Sequence, residues 1–194
     1  MIDSETAVAE QIVDAARSYF LRFGYSRVST EEIARSIGRS KKTLYKHFET
    51  KEALLHAVLA RVDSEAQRTI TALLAERGGD RLARLKRILV AVAVHIASTH
   101  QVLLADLRAT APDLAQQAWR ERRRALCELL LPVMHEAAQH GAMRGDLDCE
   151  QVLHIFFTCV EGMASPLDVA HHAQAPGDLF ATLVELLVEG LRRR

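Results

Sequence analysis

Apolar residues recur at steps of three and four along almost the whole chain, and only 4 prolines interrupt its 194 residues. That is the helical period, in which a stretch buries one face and wets the other. In the first segment Val8, Ile12, Ala15, Ala16, Tyr19, Phe20 and Phe23 share a face. Asp3 or Ser4 can cap its start, and Gly24 suits the left-handed position that closes it. No alternating strand pattern is present. Aromatic residues make up only 5% of the chain, and its apolar bulk is Ala, Leu and Val. The expected fold class is all-α, with about nine helices.

Capping residues divide the pattern. Ser29-Thr30-Glu31-Glu32 fits a capping box, followed by Ile33, Ala34 and Ile37 as a buried face and by Gly38 as a stop. Ser40 caps a short helix over 41–48. Thr50 caps a long one whose stripe includes Leu54, Leu55, Val58, Leu59, Val62 and Ile70. Arg77-Gly78-Gly79-Asp80 ends it and Asp80 starts the next. The remaining helices are expected near 81–98, 100–109, 112–140, 149–170 and 177–193. Pro112 suits a first turn, and Pro132 is expected to kink its helix.

Composition removes several classes. Lys plus Arg and Asp plus Glu are 25 each, for zero net charge, so nucleic-acid binding needs a local basic patch. Cys127, Cys149 and Cys159 cannot all pair and form no CxxC, which excludes a disulfide scaffold or a four-cysteine zinc site. No thiol sensor is expected. The acidic N-terminus lacks the features of a signal peptide. The longest apolar run, from Ile88 to Ala97, is too short for a membrane span and contains His95. A soluble, cytoplasmic protein is expected. No P-loop, GxSxG, GxGxxG or paired-carboxylate motif suggests an enzyme. His95/His100 and His135/His140 are five apart, off one helical face. No HExxH occurs, and His171-His172 near Asp168 is a weak cluster. Neither metal nor cofactor is expected. Arg120-Glu121-Arg122-Arg123-Arg124 reads as a solvated face.

The functional signal lies in residues 31–48, EEIARSIGRSKKTLYKHF. Ala34, Gly38 and Leu44 have helix-turn-helix spacing: a small residue under the crossing, a glycine in the turn, and an apolar pin. Ile33 and Ile37 complete the clamp, which turns the far face of the 41–48 helix outward. From Arg35 to Lys51 six bases (Arg35, Arg39, Lys41, Lys42, Lys46, Lys51) face one acid, Glu49. A basic patch coinciding with turn glycine, caps and spacing points to DNA.

Residues 12–55 resemble the DNA-binding domain of the TetR family of bacterial transcriptional repressors. The resemblance rests on Ile12, Ala15, Ala16, Phe23-Gly24-Tyr25, Thr30, Ile33-Ala34, Gly38, Ser40, Thr43-Leu44-Tyr45, His47-Phe48, Lys51-Glu52 and Leu54-Leu55. It covers about a quarter of the chain. Arg39 departs from the pattern, since the family usually has a small apolar residue after the glycine. The resemblance implies that Thr30 touches a phosphate and that Lys41, Lys42 and Thr43 read bases. It implies phosphate contacts from Tyr45, His47 and Lys51. Arg39, Ser40 and Lys46 complete the DNA-facing set. Leu44 and Phe48 belong to the core.

One helix-turn-helix has too small an interface for a specific site, so a two-fold dimer on a palindrome is expected. Val152, Phe156, Cys159, Val160 and Met163 form one apolar stripe. Phe180, Leu183, Val184, Leu187 and Leu191 form another. Two such helices from each subunit would make a four-helix bundle, which is also how the family dimerises. Residues 1–50 are expected to be the DNA-binding domain, and 51–194 the effector-binding and dimerisation domain. In the family a small molecule enters a cavity in the larger domain and changes the separation of the DNA-binding domains. Candidate lining residues are Val62, His95, Val102, Leu103, Leu107, Trp119, Leu126, Cys127, Leu130 and Phe157. Their aliphatic character implies a hydrophobic or amphipathic effector. The expected protein is a homodimeric repressor on double-stranded operator DNA, released by that effector. The alternative is an effector-independent architectural or protein-interaction factor on the same fold.

Overall fold

A computed structural model describes residues 2–76, 79–98, 101–163 and 176–192. They form nine helices: α1 (Ile2–Phe23), α2 (Thr30–Ser36), α3 (Lys41–His47), α4 (Lys51–Ala75), α5 (Arg81–Ser98), α6 (Gln101–Thr110), α7 (Pro112–Gln139), α8 (Cys149–Met163) and α9 (Pro176–Leu191). Among the described residues there is no strand. A single antiparallel bridge joins Met143 to Arg192, with Arg144 N–H donating to the Leu191 carbonyl at 2.9 Å. No described helix is long and apolar enough to cross a membrane.

Capping chemistry sets the boundaries. At α2 the Ser29 side chain accepts from Glu32 N–H while the Glu32 carboxylate accepts from Ser29 N–H at 2.8 Å. Thr50 Oγ1 accepts from Ala53 N–H, and Asp80 Oδ1 from Leu82 and Ala83 N–H. α1 differs from expectation. It begins at Ile2, so Asp3 and Ser4 stand inside the helix and not at its start. α7 runs on through Pro132, whose missing N–H leaves the Glu128 carbonyl without its usual partner. His171, His172 and the expected end of the 149–170 helix lie outside the described residues.

The chain divides into two compact units, residues 1–64 with 100–119, and residues 65–99 with 120–194. The first is larger than the 1–50 segment expected to bind DNA. Its core joins Ile12, Ala16 and Phe20 of α1 to Ile33 and Ala34 of α2, Leu44 of α3, and Leu54, Leu55 and Val58 of α4. Leu103 and Leu107 of α6 and Ala115 of α7 complete it. One long and two short helices expose too much surface to stand alone, and α4 and α6 supply the missing cover.

That packing divides the expected effector-lining residues between the two units. Leu103 and Leu107 are spent in the first unit's core. Val62 falls in the same unit's stretch of α4 and is buried, while Val102 is 51% exposed. The second unit keeps His95 on α5, Leu126, Cys127 and Leu130 on α7, and Phe157 on α8. Leu126, Leu130 and Phe157 are buried. Trp119 closes the first unit's share of α7 and is half-buried.

In the second unit α5 packs against α8 and α9, burying Leu85, Ile88, Leu89 and Val92. Phe156 and Phe157 meet edge to face at 5.2 Å. Ion pairs tie elements within the unit: Arg81 and Arg84 to Glu136, each at 3.4 Å, and Lys86 to Glu185. The 120–124 run is not wholly a solvated face. Arg122 is only 7% exposed, because α7 turns it inward one turn before Leu126.

The expected dimer stripes lie largely inward within the single subunit. Val152, Phe156, Val160, Phe180, Val184 and Leu191 are buried in the subunit's own core. Cys159, Met163, Leu183 and Leu187 are half-buried at the rim. The faces left open are offset by about a third of a turn: Gln151, Ile155, Thr158 and Gly162 on α8, and Thr182, Leu186 and Gly190 on α9. Ile155 is 54% and Leu186 70% exposed.

Candidate nucleic-acid interface

The turn between α2 and α3 is a complete Schellman closure. Gly38 N–H donates to the Arg35 carbonyl at 3.0 Å, and Arg39 N–H to the Ala34 carbonyl at 2.9 Å. Gly38 sits at φ +66°, the left-handed region that other residues enter at a cost. Ser40 then caps α3, accepting from Thr43 N–H at 3.1 Å. Leu44 is fully buried beneath α2, and Phe48 packs at the core's edge. With Leu44 inward, Lys41, Lys42, Tyr45 and Lys46 face outward.

The charged set is smaller than the sequence count implies. Arg35 pairs with Glu31 one turn back at 2.8 Å. Lys46 pairs with Glu5 of α1. Lys51 turns inward. Its Nζ donates to the Tyr25 carbonyl at 2.6 Å and lies over the Tyr25 and Phe20 rings, 4.3 and 5.9 Å from their centroids. Burial pushes the Lys51 ammonium pKa down, while Asp106 and Glu32 oppose that shift. Arg39, Lys41 and Lys42 remain, and among the described residues none of the three forms an ion pair. They cluster around the start of α3, where the helix dipole disfavours cations.

Two expected phosphate contacts are placed otherwise. Thr30 is 6% exposed, and its hydroxyl is shared with the Tyr45 hydroxyl at 3.2 Å. Tyr45 is the exposed partner, with the Lys41 ammonium 5.7 Å from its ring centroid. Lys51 is a bolt between α4 and the turn after α1, not a free surface cation. Lys51→Ala is therefore expected to destabilise the first unit by about 1–2 kcal/mol, from a lost charge-assisted hydrogen bond and cation–π contact. Urea unfolding checks this, and an unchanged midpoint would return Lys51 to the surface set. Thr43 and His47 are half-buried, with Thr43 Oγ1 bonded to Ser40 Oγ at 2.9 Å.

Sequence reasoning missed Asp106. From α6 it accepts from Ser26 N–H and Ser26 Oγ, both at 2.6 Å, clasping the turn that follows α1. Desolvation raises the Asp106 pKa, but hydrogen bonds from Ser26 and Tyr25 outweigh it and hold the carboxyl below the usual aspartate range. A separation of 80 residues leaves no local signal for this pairing. The described residues contain no group of three His, Cys, Asp or Glu placed to hold a metal.

Residues 12–58 match the family described as bacterial regulatory proteins, tetR family. The chain is 28% identical to the HTH-type transcriptional repressor AcnR of Corynebacterium diphtheriae, over 81% of this chain and 80% of that one. It is 26% identical to the HTH-type transcriptional repressor Rv1474c of Mycobacterium tuberculosis, over 98% and 96%. Its fold matches the transcriptional regulator FadR of Bacillus subtilis, solved in complex with stearoyl-CoA, at TM-score 0.72 and 21% identity, covering 94% of this chain and 99% of that one. The helix-turn-helix geometry and these likenesses agree: residues 12–58 form a DNA-binding domain of the tetR family of bacterial regulatory proteins, and the whole chain has the fold of TetR-type transcriptional regulators.

Proposed function

We propose that the protein is a homodimeric repressor that holds a palindromic operator and lets go when a small amphipathic molecule binds its second unit. The observation that carries the DNA reading is the trio Arg39, Lys41 and Lys42, exposed around the start of α3 and without an ion pair among the described residues. Lys41 and Lys42 donate to guanine edges, Arg39 and Tyr45 hold the backbone, and Thr43 offers its methyl to thymine. Ser40 orients the helix start. Residues 1–50 carry the DNA contacts, and the remainder serves effector binding and dimerisation.

Repression is supported by the repressor names of the relatives. An acyl-chain effector is supported by the stearoyl-CoA complex of a fold neighbour, and by the apolar side chains of Leu126, Leu130 and Phe157 beside half-buried His95 and Cys127. The dimer is supported by Ile155 and Leu186, large apolar side chains left in water on the last two helices.

Selection of genomic fragments on the purified protein at a stated salt concentration tests this reading. A recovered palindrome, released by long-chain acyl-CoA, is the expected result. Diffuse, salt-sensitive retention would instead favour the architectural factor. On the recovered operator, Lys42→Ala is expected to cost ~1–3 kcal/mol and to relax preference at one base pair. It should leave thermal stability unchanged or slightly raised, because it removes a cation from a helix N-terminus. Equal weakening on all sequences would make Lys42 a phosphate contact.

A further inference from the structure

We propose that the Glu5 carboxylate stands in for a DNA phosphate on Lys46, so that the first turns of α1 lower the protein's affinity for every DNA sequence alike. The proposal rests on the DNA-binding reading above. Glu5 and Lys46 are 41 residues apart and meet because α1 packs on α3. Their side chains are 64% and 67% exposed. The pair therefore lies in water on the rim of the recognition helix, and neither partner is needed to neutralise a buried charge.

Lys46 is on the outward side of α3, one residue beyond Tyr45 and one turn beyond Lys42. A backbone phosphate reaching Lys46 must displace the carboxylate and then lie beside it as a like charge. Lys46, with a smaller contribution from His47, holds the Glu5 carboxyl below the usual glutamate range. The residue is thus fully charged at neutral pH. An exposed ion pair is weak and exchanges readily, so Glu5 tunes affinity without blocking the site. Neither a carboxylate nor a phosphate carries base identity, so the penalty is the same on operator and random DNA. With Glu5 charged, the surface facing DNA carries one net positive charge fewer, so fewer counterions leave the DNA on binding.

The test compares the full-length wild type with Glu5→Gln by fluorescence anisotropy, on the selected operator and on a scrambled duplex of equal length. Salt is varied between about 50 and 200 mM. Glu5→Gln is expected to tighten binding to both duplexes by the same factor, roughly two- to fivefold. The salt slope should steepen by up to ~0.9. In a Lys46→Gln background the gain should vanish. Unchanged or weaker binding by Glu5→Gln, a gain confined to the operator, or a gain that persists without Lys46 would each overturn the proposal. A wild type that holds neither duplex at low salt would instead overturn the DNA-binding reading, and this proposal with it.

Discussion

Leu186→Glu is expected to turn the protein into a folded monomer that no longer holds its operator at working concentrations. Leu186 is 70% exposed on α9, and Ile155 is 54% exposed on α8. Around them lie Thr158, Thr182, Gly162 and Gly190, and a Cβ at either glycine would meet nothing within 4 Å. Two apolar side chains flanked by small residues suit the close approach of a second pair of helices. A carboxylate at 186 would be buried without a partner in that interface, at a cost of several kcal/mol for the dimer. In the monomer the same carboxylate is in water and costs little. A dimer reads two half-sites as one intramolecular event, so its loss should weaken operator binding by about 10²–10⁴. Sedimentation velocity checks the oligomer, circular dichroism the fold, and anisotropy the affinity. A dimer that survives Leu186→Glu together with Ile155→Glu would place the interface elsewhere.

Gly24→Ala is the second large effect, and it acts through the fold of the DNA-binding unit. Gly24 has φ +88°, and a Cβ there would lie 2.9 Å from both Cβ and Cγ of Asp106. The left-handed conformation costs an alanine about 1–2 kcal/mol. Relief of the clash requires Asp106 to move off Ser26, losing hydrogen bonds to an ionised group worth ~1–3 kcal/mol. Together these approach half the stability of a small domain. The expected result is a clear fall in the urea midpoint, with loss of DNA binding near body temperature. Full stability in Gly24→Ala would mean that the α6–turn clasp is not formed in solution.

The same clasp gives a pH dependence. Asp106 has a folded-state pKa below its unfolded value. Its stabilising contribution is therefore complete above the ordinary aspartate range and is lost as pH falls through the folded value. Asp106→Asn should flatten the acid limb of a stability–pH profile. An unaltered limb would assign acid lability to other carboxylates.

Much of the architecture was legible because its signals are local. The Ser29–Glu32 box, the Ser40, Thr50 and Asp80 caps and the glycine after α2 each act within three or four residues, and each is found where the chain announces it. The helix-turn-helix was legible for the same reason, since Ala34, Gly38 and Leu44 span less than a dozen positions. Which apolar face of α8 and α9 packs within the subunit was not legible, because periodicity reports that a face is apolar but not which neighbour covers it. α8 and α9 are apolar over wide arcs: the inner arc packs on α5, and Ile155 and Leu186 lie outside it.

By itself, then, the sequence determined the helical fold class, most helix starts and the helix-turn-helix segment, because capping, turn conformation and helical period are short-range properties of the chain. Only the tertiary structure decided which cations are still unpaired at the surface. Glu5 on Lys46, Asp106 on Ser26 and Tyr25 beneath Lys51 join residues 41, 80 and 26 positions apart. Whether a charged group finds such a partner depends on how helices pack, and packing depends on the whole core at once, which no local pattern encodes.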